Sequence, residues 1–250
     1  MKTLTYNGTE YLVEKIKNII NPLNRKIIFM GDSYGRGLQP NSQPDIANWV
    51  DLTATRMGLS SNDYYNWSVS GAGFLATSDS LNWLKILQSN YSSVQDIAYT
   101  ITDFVMGGGI NDANTMYNGD GRSATPTLIS KIETVFDEIR TCFPNAKIWI
   151  SPFGWCRGQK SRRDIMCNNV FYAYTVACAN KGAVYIDSGE YVLHNYGLMA
   201  SDYYHPNLDG ENAIADVVSS ALMGCPKALS SYTKNGNNQS YIYICRYEFY

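Results

Sequence analysis

The feature that most constrains this chain is a repeated alternation of short apolar runs with longer helical patterns. Lys26-Ile27-Ile28-Phe29-Met30 is a run of apolar, partly branched residues after one cation, and it reads as a strand buried on both faces. Tyr64–Ser68, Ile97–Met106, Lys147–Ser151 and Ala183–Asp187 are further strand-like segments. Between them lie helix-like segments at about Asp45–Met57, Leu81–Gln88, Thr127–Cys142, Arg163–Asn180 and Gly210–Met223. In the Thr127 segment, Leu128, Ile132, Val135, Phe136 and Ile139 fall on one face, and Pro126 stands beside its start. Strand alternating with helix implies a parallel sheet with helices on both faces, an α/β fold.

Both ends of the chain fall outside this rhythm, so we divide it into an N-terminal extension over 1–25, an α/β domain over 26–224 and a C-terminal extension over 225–250. Thr9 suits the cap of a helix over about Glu10–Ile20, while Asn7-Gly8 suits the turn of a short hairpin instead. Tyr241–Tyr250 reads as a strand with Tyr241, Tyr243, Cys245, Tyr247 and Phe249 on one face. Such a strand must cover the body, pair with the N-terminal segment or build a homo-oligomer interface.

Composition excludes several function classes. With 45% hydrophobic and 17% charged residues the chain is not mainly disordered, and a net charge of −2 argues against a nucleic-acid binder. No apolar run reaches the ~18 residues of a membrane span. The opening residues lack the apolar stretch of a secretory signal, which leaves the cytoplasm or a non-classical release route as the expected compartment. The only histidines are His194 and His205, so a three-histidine zinc site is impossible. The six cysteines form no C-x-x-C pair and read as buried thiols. We expect no metal and no cofactor.

In open α/β sheets, ligands sit beyond the carboxyl ends of the strands. Those ends carry Gly31-Asp32-Ser33, Ser70-Gly71-Ala72-Gly73, Gly107-Gly108-Gly109-Ile110-Asn111-Asp112 and the loop from Pro152 to Arg163. Ser33, at the end of a buried strand, suits a nucleophile, although the same position suits a helix cap. A serine nucleophile needs a base and the base needs an orienting group. His205 lies in Ser201-Asp202-Tyr203-Tyr204-His205-Pro206, where Asp202 can hold its ring from within one loop. His194, in an apolar helical stretch, reads as structural or as a rim residue. The Ser33 amide, the Gly71 amide and the Asn111 side chain are candidate oxyanion donors.

Taken in order, Gly31-Asp32-Ser33, Gly71, Gly109-Ile110-Asn111-Asp112 and Asp202-Tyr203-Tyr204-His205 resemble the sequence blocks of the GDSL, or SGNH, hydrolase family over about Lys26 to Met223. The resemblance implies a three-layer α/β/α flavodoxin-like fold and metal-free ester hydrolysis. It implies Ser33 as nucleophile, His205 as base and Asp202 as orienting acid, with Ser33, Gly71 and Asn111 forming the oxyanion hole. Asp32 is then expected to brace the turn without titrating in catalysis.

The substrate is less constrained. Phe74 lies beside Gly71 and suits a small acyl pocket, while Trp155 and Arg157 in the loop after the Lys147 strand suit a sugar or anionic group. The 20 Tyr against 8 Phe also suit a sugar-facing surface. The expected activity is hydrolysis of short acyl esters, chiefly acetyl, on a small ester or an acylated carbohydrate. An acyltransferase with the same triad and a glycan-binding module with a vestigial site are the alternatives the sequence leaves open.

Overall fold

The computed structural model describes residues 3–6, 9–12, 25–40, 44–153, 162–186, 196–202 and 204–224. Its centre is a parallel sheet of five strands: β3 (Ile27–Gly31), β4 (Tyr64–Asn66), β5 (Asp103–Gly109), β6 (Lys147–Phe153) and β7 (Val184–Tyr185), in the order β4-β3-β5-β6-β7. β3 and β5 are buried along their whole length, which is why, apart from Asp103 at the start of β5, their sequences are apolar or glycine rather than alternating. Among the described residues six helices accompany the sheet: α1 (Trp49–Met57), α2 (Trp83–Tyr91), α3 (Ile110–Asn118), α4 (Thr125–Cys142), α5 (Arg162–Lys181) and α6 (Leu208–Leu222). They flank the sheet in two packed groups, α1 with α6 and α2–α4–α5–α3, completing the three layers.

Several boundaries move from their expected places for local reasons. Helix α1 starts at Trp49 because Asn48 caps it, its Oδ1 accepting the Asp51 amide at 2.9 Å. The expected strand from Ile97 divides into a 3-10 turn, Gln95–Thr100, and β5, which starts at Asp103. Asp103 is a buried acid whose Oδ1 accepts Trp149 Nε1–H at 2.8 Å, so it belongs to the sheet interior despite its polarity. Helix α3 went unread because the glycine run before it and the asparagines within it disguise a helix.

Of the two N-terminal readings, the antiparallel pairing bears out the hairpin, and Glu10–Leu12 is strand and not helix. β1 (Thr3–Tyr6) pairs antiparallel with β2 (Thr9–Leu12), with Tyr6 and Thr9 as register partners. Asn-Gly in the sequence favours the connection of such a pair, in keeping with strand rather than helix at Glu10–Leu12. The rest of the expected helix lies outside the described residues, as does the C-terminal aromatic strand.

The core follows the anticipated face of α4: Leu128, Ile132, Val135, Phe136 and Ile139 are buried. Trp49, Trp83, Tyr34 and Tyr174 are its largest fully buried side chains. Cys142, Cys167 and Cys178 are buried as expected, while Cys156, Cys225 and Cys245 lie outside the described residues.

Candidate active site

β3 delivers its carboxyl end into Asp32-Ser33 and then a single 3-10 turn, Tyr34–Arg36. The Ser33 hydroxyl makes no capping bond to that turn. It lies 3.1 Å from His205 Nε2 instead, so the helix-cap reading of Ser33 gives way to a side-chain pair. On the far side of the imidazole, Nδ1 lies 2.7 Å from Asp202 Oδ2. Asp202 Oδ1 also accepts the amides of Tyr204 at 2.9 Å and His205 at 3.0 Å. Burial alone would raise the Asp202 carboxyl, but the His205 ring and these two amides outweigh it and hold the acid below its ordinary range.

His205 is carried to Ser33 by the element that follows it. Asn207 caps α6, its Oδ1 accepting the Gly210 amide at 3.0 Å. One turn into α6, the fully buried Glu211 accepts the Trp49 amide at 2.8 Å through Oε2, tying α6 to the start of α1. Arg56 fastens the same two helices through Asp216 at 2.7 Å and the Asn212 side chain at 2.7 Å. Burial pushes the Glu211 carboxyl well above its ordinary range, against the pull of the Trp49 amide that it accepts.

The expected oxyanion donors stand at the carboxyl ends of three adjacent strands, β4, β3 and β5. Gly71 occupies the left-handed region at φ +82°, a conformation that favours glycine, and an added Cβ would meet nothing closer than Leu81 at 3.7 Å. The Gly71 turn is tied to β3 by the Val69 amide donating to the Gly31 carbonyl at 3.0 Å. It is tied to α3 by Asn111 Nδ2 donating to the Ala72 carbonyl at 2.9 Å. An amide nitrogen carries two hydrogens, so Asn111 retains a second for a ligand.

Two buried acids support these turns from behind. Asp32 Oδ1 accepts the Tyr34 amide at 3.0 Å, bracing the turn that carries Ser33. Asp112 Oδ1 accepts the Leu75 amide at 2.7 Å, gripping the loop that follows Gly71. Burial pushes Asp32 up to about 7, with the nearby Asp112 adding to the rise, and burial pushes Asp112 up to about 7 as well. The close approach is possible because β5 ends in glycines: a Cβ on Gly108 would stand 2.7 Å from Asp32 Oδ2. Sequence reading named Asp112 within its block without assigning it work, and gave Glu211 no notice. A carboxylate within a segment otherwise apolar on its buried face was the available signal.

The residues proposed for substrate contact are less assembled. Phe74 is buried and packs edge-on against Trp83 and Tyr174, with centroid distances of 4.4 and 5.7 Å. It also lines a cavity of about 110 Å³ with Asn82, Leu84, Lys131, Thr134 and Val135. Trp155, Arg157 and His194 lie outside the described residues. Among described tyrosines the exposed Tyr99 precedes β5, at the amino end of the sheet and away from Ser33. Among the described residues no helix is long and apolar enough to cross a membrane.

The profile of the GDSL-like lipase/acylhydrolase family matches residues 29–213. The chain belongs to that family. It is therefore a carboxylic ester hydrolase of the GDSL/SGNH type. No curated protein matches its sequence significantly. Its fold is similar to that of a carbohydrate esterase family 2 enzyme with a carbohydrate-binding domain from Corynascus thermopiles (Myceliophthora fergusii), at TM-score 0.61 and 19% identity over 80% of this chain and 66% of that one. It is similar to an acetyl xylan esterase from Butyrivibrio proteoclasticus, at TM-score 0.55 and 17% identity over 80% and 64% of the two chains. An extracellular lipase from Streptomyces rimosus gives TM-score 0.54 and 17% identity over 79% and 99%. At these identities the likeness is one of fold, and this GDSL hydrolase takes its substrate from its own residues.

Proposed function

We propose that this GDSL hydrolase cleaves short acyl esters, chiefly acetyl esters on carbohydrate, through Ser33, His205 and Asp202. The observation that carries the reading is the unbroken relay from Ser33 Oγ to His205 Nε2 at 3.1 Å and from His205 Nδ1 to Asp202 Oδ2 at 2.7 Å. Ser33 Oγ attacks the ester carbonyl carbon while His205 Nε2 takes its proton. Asp202 holds Nδ1–H and stabilises the imidazolium that forms. The carbonyl oxygen, now an oxyanion, accepts hydrogen bonds from the Ser33 and Gly71 amides and the Asn111 side chain. Collapse expels the alcohol, which takes the proton from His205 and leaves an acyl-Ser33 ester. Water, deprotonated by His205, attacks that ester and releases the acid.

The preference for a short acyl group on a sugar is supported by two fold neighbours, a carbohydrate esterase and an acetyl xylan esterase. It is supported also by Trp155 and Arg157 in the segment after β6, a strand whose carboxyl end lies beside that of β5. The test is a series of p-nitrophenyl esters from acetyl to palmitoyl beside acetylated xylan. Turnover should be greatest for acetyl and should extend to the xylan. A maximum at the long chains would overturn the substrate assignment, and full activity in Ser33→Ala would overturn the triad.

A further inference from the structure

Ser33 and His205 each have a tyrosine as immediate neighbour in sequence, and the tyrosine beside Ser33 bonds the backbone of the tyrosine beside His205. Tyr34 follows Ser33 and is fully buried. Its hydroxyl donates to the Tyr204 carbonyl at 2.6 Å. Tyr204 precedes His205, and its phenol oxygen accepts from Asn114 Nδ2. Asn114 stands on α3 one turn after Asn111, so the two asparagines share a helix face.

The peptide unit joining Tyr204 to His205 is thereby held at both ends. Its carbonyl is bound by Tyr34, from the nucleophile turn. Its N–H donates to Asp202 Oδ1 at 3.0 Å. The imidazole lies between the two aromatic rings, with centroid distances of 6.0 Å to Tyr34 and 5.1 Å to Tyr204, both edge-on. The Asp202–His205 pair can form within its own loop, whereas the distance from His205 to Ser33 spans two segments far apart in sequence and needs a separate fastening.

We propose that Tyr34, Tyr204 and Asn114 form a strap of positioning residues that sets His205 against Ser33 and links the base loop to the helix bearing Asn111. The proposal rests on the reading of Ser33 and His205 as nucleophile and base. The strap touches neither substrate nor the transferred proton. It acts by fixing a peptide plane, and a small displacement of the imidazole along the Ser33 direction costs rate at every step where the proton moves.

The test is Tyr34→Phe, which keeps the buried ring and removes only the donor to the Tyr204 carbonyl, with Tyr204→Phe as its partner. With p-nitrophenyl acetate, Tyr34→Phe should lower kcat by about ten- to a hundredfold while KM stays within about twofold. Tyr204→Phe should cost less, and the double variant should lose less than the product of the two because they belong to one strap. The pH dependence of kcat/KM should keep its midpoint, since the Asp202–His205 bond is untouched. In a His205→Ala background the Tyr34→Phe loss should vanish, because the strap works through the imidazole. A Tyr34→Phe protein with a lower melting temperature but unchanged kcat would overturn the proposal, as would a loss that persists fully without His205. Ser33→Ala serves as the separate control: its activity judges the reading of the site, while Tyr34→Phe against an inactive Ser33→Ala judges the strap.

Discussion

The turn that carries Ser33 and the loop that carries His205 face each other across the Ser33–His205 contact but are built on opposite principles. Ser33 sits in a segment that is buried throughout, braced by Asp32 and backed by the glycine end of β5. Asp202 and His205 stand near the surface, with side chains 25% and 14% exposed, in a turn organised by Asp202 Oδ1 and its two amide donors. The nucleophile's geometry is imposed by tertiary packing from the sheet. The base's orientation comes from a few residues of local sequence, and only its placement is tertiary. Substitutions in the two regions should therefore fail differently.

The largest effects should come from the relay itself. Ser33→Ala and His205→Ala should each lower kcat by at least about a thousandfold with the melting temperature nearly unchanged, leaving the residual rate of the oxyanion hole and binding. Turnover of p-nitrophenyl acetate by homogeneous variants checks this, and near-normal rates in either would remove that residue from the mechanism.

Asp202→Asn tests the local half of the comparison. Because Asp202 Oδ1 already accepts two backbone amides, a replacing amide would keep its oxygen there and turn its NH2 toward His205 Nδ1. The imidazole would then carry its proton on Nε2 and could not act as base toward Ser33. The loss should be on the order of a thousandfold, close to that of His205→Ala. Only a tenfold loss would mean that another group orients the ring.

Asn111→Ala tests the link between the Gly71 turn and helix α3. It removes the proposed donor to the developing oxyanion and the anchor on the Ala72 carbonyl together. A fall in kcat of roughly a hundredfold or more, with KM little changed, is expected. A raised KM at constant kcat would make Asn111 a ground-state contact instead.

The smallest effect should be on stability. Asp32 and Asp112 have folded-state values of about 7 against an ordinary 3.8, so the folded chain retains protons that the unfolded chain has released. The stability they contribute is full below about pH 4 and is lost as pH rises through about 7. Melting temperature against pH should show that decline. Asp112→Asn, which keeps an acceptor for the Leu75 amide, should flatten it. A profile unchanged by the substitution would mean that Asp112 does not titrate over that range.

How much of this was legible in the chain depends on whether a feature is local. Strands β3 and β6 and the buried face of α4 were readable because continuous apolar runs and helical spacing report burial directly. Asp202 and His205 were readable because they lie three residues apart in one loop, close enough to bond without any other element. Helix α3 was not, because glycine and asparagine have low helical preference and the helix is held by its neighbours. At the N-terminus two local signals competed in the sequence, helical spacing and Asn7-Gly8, and the described residues follow the second, with Thr3–Tyr6 paired to Thr9–Leu12.

The sequence by itself determined the α/β alternation, the family and the order of Ser33, Gly71, Asn111, Asp202 and His205 along the chain, since all of these are properties of local pattern and spacing. It could not reveal that Asp32 and Asp112 would titrate near neutrality, because an acid's surroundings are assembled from strands and loops remote in sequence. Nor could it reveal that Tyr34 would reach the carbonyl before His205, across a sequence separation of 170 residues. Those bonds exist only once the sheet has brought its carboxyl ends together and α6 has docked on α1. Tertiary structure alone decided them, because hydrogen bonding and desolvation act over a few ångströms of space and are indifferent to distance along the chain.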